Sequence, residues 1–201
     1  MAEPNSKLKV ELLASTPDPE GTIIKATRTC YQSFDKQSEA SDEKLLAHLI
    51  KNNESPLEFA VFTFLISGIS RVTSHQIVRH RIASYAQKSQ RYVPEKDFDF
   101  VVPHSIENSE EAMKEFKDII VQSRKAYARL LDLGIKKEDA RYTLPQACTT
   151  QIVCSYNARS LRNFLKLRLA PRAQWEIREV AVRMRDLVRQ VAPALVMDLY
   201  V

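Results

Sequence analysis

Apolar positions along the chain change period several times, and each change predicts an element. KLKVELLAS, residues 7–15, alternates enough for an opening strand, and TPDPEGTIIKATRTCY after it predicts a turn leading into a helix. Ser41 followed by Asp42 and Glu43 predicts a helix start, with KLLAHLIKN carrying the apolar face. EFAVFTFLISG is dense in Phe, Val, Ile and Thr and predicts a core strand ending at Gly68. ISRVTSHQIVRH then predicts a helix with Val72, His75 and Arg79 at three- and four-residue spacing, delivering a loop at its C-terminal end. Ser109 opens a long amphipathic helix whose Met113, Phe116, Ile120, Tyr127, Leu130 and Leu131 line one side until Gly134 stops it. KKEDARYTLPQ predicts a short helical turn ended by Pro145, ACTTQIVCSY a second β-branched strand, and Asn157 a cap for the helix ARSLRNFLKLRL. A last helix from about Ala173 to Val191 repeats Ile177, Val180, Met184, Leu187 and Val191 at alternating three and four. Helices flanking a small central sheet give an α+β fold, and 201 residues fit a single domain, 1–201.

Composition removes several function classes. The longest apolar run, AVFTFLISGI, is about half of what a membrane-spanning helix needs, and MAEPNSKLKV lacks the apolar centre of a signal peptide, so a cytoplasmic location is expected. Cys30, Cys148 and Cys154 are an odd set without CxxC, which predicts reduced, buried thiols rather than a disulfide framework or zinc knuckle. His75 and His80 are out of phase for one helix face and have no carboxylate nearby in sequence, so no metal site is expected. With only Gly21, Gly68 and Gly134, neither GxGxxG nor GxxxxGK[ST] can be written. Nothing marks a GxSxG elbow either. A nucleotide would have to be held by side chains, and the chemistry supplied by a bound cofactor.

Charge shows where. The net charge of +5 is modest, yet between Glu58 and Glu95 there is no Asp or Glu, while Arg71, Arg79, Arg81, Lys88 and Arg91 accumulate beside His75 and His80. A local positive field in an otherwise mixed surface points to phosphate, nucleotide or nucleic acid. Arginine suits phosphate because its planar fork makes paired charge-assisted bonds and stays charged. Tyr85 and Tyr92 beside the basic loop leave open a single-stranded nucleic-acid surface, although no module signature for one is present.

The segment RHRIASYAQKSQRY, residues 79–92, matches the RHRxxSxxxxSxR signature of the flavin-dependent thymidylate synthases, with Arg79, His80, Arg81, Ser84, Ser89 and Arg91 in place. ESPLEFAVFTF, EDARYTLP and NARSLRNFLKLRLAPRAQWEIRE look like further segments of the same family. The resemblance implies that family's α+β fold and a homotetramer with active sites at subunit interfaces. It implies FAD as cofactor, dUMP as substrate, 5,10-methylenetetrahydrofolate as carbon donor and NADPH as reductant. Carried over residue by residue, Ser55, Glu58, Arg79, His80, Arg81, Asn157, Arg159 and Asn163 contact FAD. Gln76, Arg79, Gln87, Ser89, Arg91, Arg141 and Arg168 surround dUMP, with Arg168 and Ser89 nearest the chemistry. The family works without a cysteine nucleophile, so Cys148 is read as core. Where many members have histidines at both ends of HxSxxEH, this chain has Asn53 and Phe59, a departure that bears on folate stacking.

Overall fold

The computed structural model describes residues 7–200. Residues 1–6, over which the absence of a leader was read, lie outside the described residues. The element order is β1 (Lys9–Ser15), α1 (Pro19–Tyr31), α2 (Glu39–Asn52), β2 (Val61–Ser70), α3 (Arg71–Ile77), β3 (Ala83–Gln87), α4 (His104–Glu107), α5 (Glu110–Asp132), α6 (Lys137–Ala140), β4 (Thr149–Asn157), α7 (Ala158–Arg168) and α8 (Trp175–Val191). The four strands form one antiparallel sheet in the order β1-β2-β4-β3, so the class is α+β.

The chain divides into two compact units. One comprises the chain up to Lys9, Ser67–His75 and Gln87–Ile152; the other comprises Val10–Ile66, Gln76–Ala86 and the chain from Val153 on. In the first unit, Phe98, Phe100, Val102, Ile120 and Cys148 form a buried cluster, with Met113 and Phe116 of α5 packed against it. The guanidinium of Arg124 lies over the Phe98 and Phe100 rings at 5.2 and 5.8 Å, a cation against two π faces. In the second unit, the alternation of β2 buries Phe62, Phe64 and Ile66, and α7 packs on α8, with Leu161, Phe164 and Leu165 buried on the first helix and Ile177, Val180 and Met184 on the second. Each such side chain contributes roughly 1.5–3 kcal/mol by leaving water. Arg162, 2% exposed on α7, is held by the Asp198 carboxylate at 2.7 and 2.8 Å and by the Leu195 carbonyl.

Local departures from the sequence reading have local causes. Ser38, not Ser41, caps α2 by accepting from the Ser41 N–H at 3.3 Å; the Ser41 hydroxyl is instead occupied by Arg28. The strand β2 runs through Gly68 to Ser70; the glycine marks a close approach rather than a strand end, since at φ +71° a Cβ there would lie 2.4 Å from the Lys7 carbonyl oxygen. The helix expected over 69–80 spans only Arg71–Ile77, residues 69 and 70 belonging to β2, and the basic segment expected as a loop contains the strand β3. Cys148 and Cys154 are buried, whereas Cys30 is exposed on α1, against the reading of all three as buried. The apolar repeat of α8 faces the core as far as Val188 and leaves Val191 exposed. Among the described residues no helix is long and apolar enough to cross a membrane.

Candidate functional site

The second unit contains Ser55, Glu58, Gln76, Arg79, His80, Arg81, Asn157, Arg159, Asn163 and Arg168 of the predicted site, and the first contains Gln87, Ser89, Arg91 and Arg141. In the second unit, Asn157 is the switch from β4 to α7: its side-chain oxygen accepts from the Ser160 N–H at 2.8 Å and leaves its amide NH2 uncommitted. Arg159, in the first turn of α7, reaches Glu58 at 2.7 Å, the two being 41% and 46% exposed. A pair this open contributes little stability but fixes both side chains relative to the turn Ser55–Phe59. One turn on, Asn163 is exposed on the same helix.

The end of α7 brings Arg168 to His80: the arginine Nε donates to His80 Nε2 at 2.9 Å. The imidazole also stands edge-on to Phe164, with ring centroids 4.8 Å apart. Burial, and then the Arg168 charge, push its pKa down to about 4, so at neutral pH it is uncharged, with the proton on Nδ1 and Nε2 as acceptor. Its backbone is held from beneath by Tyr85, whose hydroxyl lies 2.6 Å from the His80 carbonyl oxygen and 3.0 Å from that of Ile77. Tyr85 donates its one proton there, so the Tyr156 hydroxyl at 3.1 Å donates to Tyr85. Burial raises both phenols. Ile82 follows at φ +63°, a β-branched residue in the left-handed region and 76% exposed; this is backbone strain inside the signature segment. Arg79 and Arg81 are exposed and make no ion pair or hydrogen bond among the described residues. Gln76 places its amide 3.5 Å from the Gln174 side-chain oxygen.

In the first unit, Gln87 donates to the Thr150 hydroxyl at 3.2 Å and the Lys88 N–H to the Gln151 carbonyl at 2.9 Å, fixing the end of β3 against β4. Ser89 accepts from the Arg91 N–H at 3.2 Å, a local turn that shapes the segment. The run itself holds no carboxylate, but the fold brings two to it: Glu95, just past its end, pairs with Lys88 at 2.7 Å and Glu138 with Arg91 at 2.6 Å. The backbone carbonyl of Glu138 also accepts from Arg141 Nε at 2.9 Å, so one residue ties Arg91 to Arg141. Sequence reasoning missed Glu138, Tyr156 and Phe164, took Glu95 only as the end of the acid-free stretch, and read Tyr85 as a stacking ring rather than as a prop for the His80 backbone. Only Glu138 carried a signal, three residues ahead of Arg141 in EDAR. Cys148, in the same unit, is pushed up to about 11 by burial, which keeps it a thiol.

What separates these arginines from ordinary surface charge is how many keep donors free among the described residues: in the second unit Arg79 and Arg81 have no partner and Arg168 spends only Nε, and in the first unit Arg141 is pinned by a carbonyl that leaves its charge intact. Guanidinium groups with free donors are chemically suited to anions such as nucleotide phosphates, which proteins without a glycine-rich backbone cradle hold by side chains. Residues 11–194 match the family described as thymidylate synthase complementing protein, and the chain belongs to that family. It is 45% identical over 200 residues to a flavin-dependent thymidylate synthase of Geobacter sulfurreducens, covering 95% of this chain and 86% of the relative. It is similar to proteins of the same name from Clostridium tetani, 39% identical with 94% and 85% covered, and Pyrococcus furiosus, 43% identical with 89% and 78% covered.

Proposed function

We propose that the chain converts dUMP to dTMP by reductive methylation, with FAD as cofactor, 5,10-methylenetetrahydrofolate as carbon donor and NADPH as reductant. The observation that carries this reading is the complete RHRxxSxxxxSxR run at 79–91 within a family match spanning residues 11–194. The donor set suits FAD: its diphosphate needs cations that are not already neutralised, and Arg79 and Arg81 are such cations. Ser55, Glu58, His80, Asn157, Arg159 and Asn163 would complete its binding, with the Asn157 amide and the Glu58-oriented Arg159 as directional donors. Reduced FAD supplies the hydride.

The remaining residues bind and orient. Gln76, Arg79, Gln87, Ser89, Arg91, Arg141 and Arg168 are assigned to dUMP, the phosphate falling to Ser89, Arg91 and Arg141. Arg168, its Nε spent on neutral His80, turns its other nitrogens to the uracil carbonyls, where a fixed cation stabilises developing charge. Ser89 has cationic sequence neighbours and a hydroxyl engaged with the Arg91 N–H, which supports binding over attack. The high thiol pKa of Cys148 supports a route without a cysteine nucleophile. Residues 1–201 act as one domain, a reading supported by β2 and β4 each contributing residues to both units. The working form is a cytoplasmic homotetramer with active sites at subunit interfaces. Exposed Tyr142 and Phe59, 85% and 62% accessible, support further burial by neighbours.

The deciding experiment is release of tritium from [5-3H]dUMP by purified protein with FAD, methylenetetrahydrofolate and NADPH. Release dependent on all three is expected. A yellow, dUMP-binding protein that releases none would leave a flavoprotein without the transfer step and end this reading.

A further inference from the structure

A cavity of about 460 Å³ in the first unit is lined by Arg71, His75, Gln90, Arg141, Tyr142 and Gln146, with Leu144 and Pro145 completing it, and no carboxylate is among the lining side chains. That volume is above the roughly 300 Å³ at which small-molecule pockets begin. Most buried or paired arginines of this protein are neutralised directly: Arg28 by Asp42, Arg91 by Glu138, Arg159 by Glu58 and Arg162 by Asp198. Arg71 and Arg141 are not. Arg71 donates one terminal nitrogen to the Lys88 carbonyl at 2.9 Å, and Arg141 donates Nε to the Glu138 carbonyl at 2.9 Å. A carbonyl fixes a guanidinium in place without cancelling its charge, so both cations are pre-positioned and still seek an anion.

Two further observations point the same way. The Nε–H of Arg71 is buried and meets no acceptor among the described residues. Burial lowers the pKa of Arg71 and Arg141 repels its charge; Glu95, which favours that charge more than Arg141 opposes it, is already paired with Lys88 at 2.7 Å. Two like charges facing one carboxylate-free cavity repel until an anion enters, and a phosphate dianion takes forked bonds from both. His75, exposed at the rim, adds a ring N–H.

We propose that Arg71 and His75 are nucleotide-binding residues that grip the phosphomonoester end of the substrate together with Arg141. This rests on the dUMP reading above and extends its phosphate-binding set to two residues outside the signature. The recognition is of the phosphate and not of the base.

The test compares binding of dUMP and of deoxyuridine, which lacks the phosphate, to the FAD-loaded protein by calorimetry. Arg71→Met should weaken dUMP about ten- to a hundredfold, the range for a lost charge-assisted bond, and leave deoxyuridine unchanged. Arg71→Lys should recover part of the loss. Unchanged dUMP affinity in Arg71→Met, while Arg91→Ala still weakens it, overturns this proposal and leaves the dUMP reading standing; equal weakening of both ligands overturns it as well. Wild-type protein that binds neither ligand removes the dUMP reading and this proposal together. Should Arg71→Met lose its far-UV spectrum, exposed His75→Gln decides: a severalfold weakening confined to dUMP supports the proposal, and no change refutes it.

Discussion

Arg168 Nε donates to His80 Nε2 at 2.9 Å, joining the last turn of α7 to the first residues of the signature segment within one chain. The bond requires a neutral imidazole, because a protonated one would turn a second donor toward the guanidinium. The folded-state pKa of about 4 lies below the ordinary 6.5, so the unfolded chain binds a proton at His80 before the folded chain does. Stability from this residue is therefore full above pH 6.5, falls as the pH drops from 6.5 toward 4, and is lost below. Urea midpoints measured at pH 7.5, 5.5 and 4.5 should decline less steeply for His80→Gln than for the wild type. A parallel decline in both would show that His80 is not the titrating group.

Arg91 has a partner that a phosphate must displace or share, since Glu138 holds it at 2.6 Å. Arg91→Ala should weaken dUMP by about 1.5–3 kcal/mol, the range for a hydrogen bond to a charged group. Glu138→Gln should tighten dUMP binding or leave it unchanged, because it removes a competing carboxylate while keeping the backbone carbonyl that holds Arg141. Isothermal titration settles both, and a Glu138→Gln loss as large as that of Arg91→Ala would mean the pair works as a unit.

Thiol chemistry divides the cysteines. Burial raises Cys148 to about 11 and Cys154 to about 12, whereas Cys30 is exposed. Ellman's reagent should titrate one thiol rapidly in the native protein and three after unfolding. Replacing all three by Ser or Ala should leave tritium release from dUMP measurable in any variant that keeps its far-UV spectrum. Complete loss in a folded variant would restore a thiol mechanism.

The long elements were legible because their signals were redundant: Ser109 capping α5, Asn157 capping α7 and the Phe-, Val- and Ile-dense run of β2 each agree with the burial that follows. It misplaced the start of α2 because SEASDE offers two serines with acids behind them, and only Arg28, a tertiary partner, decides that Ser41 is occupied. Short β3 was invisible because five residues with one large side chain show no period, and Gln87 and Lys88 are fixed by β4 instead. The signature exposed the cations of the candidate site. Of their counter-charges, Glu95 lies just past the signature and Glu138 comes from a distant part of the chain, and no local spacing announces which cation each meets after folding.

Asn53 stands at the first position of the run compared above with HxSxxEH, and its backbone explains why an asparagine suits it. It ends α2 at φ 53°, its N–H bonding to the Ile50 carbonyl and that of Glu54 to Leu49, a left-handed cap that favours Gly or Asn. Histidine also enters this region more readily than most side chains, so Asn53→His should cost about 1 kcal/mol or less, a fall in Tm of about 2–4 °C. The side chain is exposed at the head of the turn Ser55–Phe59, which bears Ser55 and Glu58 of the proposed flavin set. A ring introduced there should lower KM for methylenetetrahydrofolate by offering a stacking face, with the Kd for dUMP unchanged because Arg91 and Arg141 are untouched. Steady-state kinetics with each substrate varied in turn reads the difference. Equal changes in both constants would show that position 53 acts through the folding of the turn that follows it, and the folate role would be withdrawn.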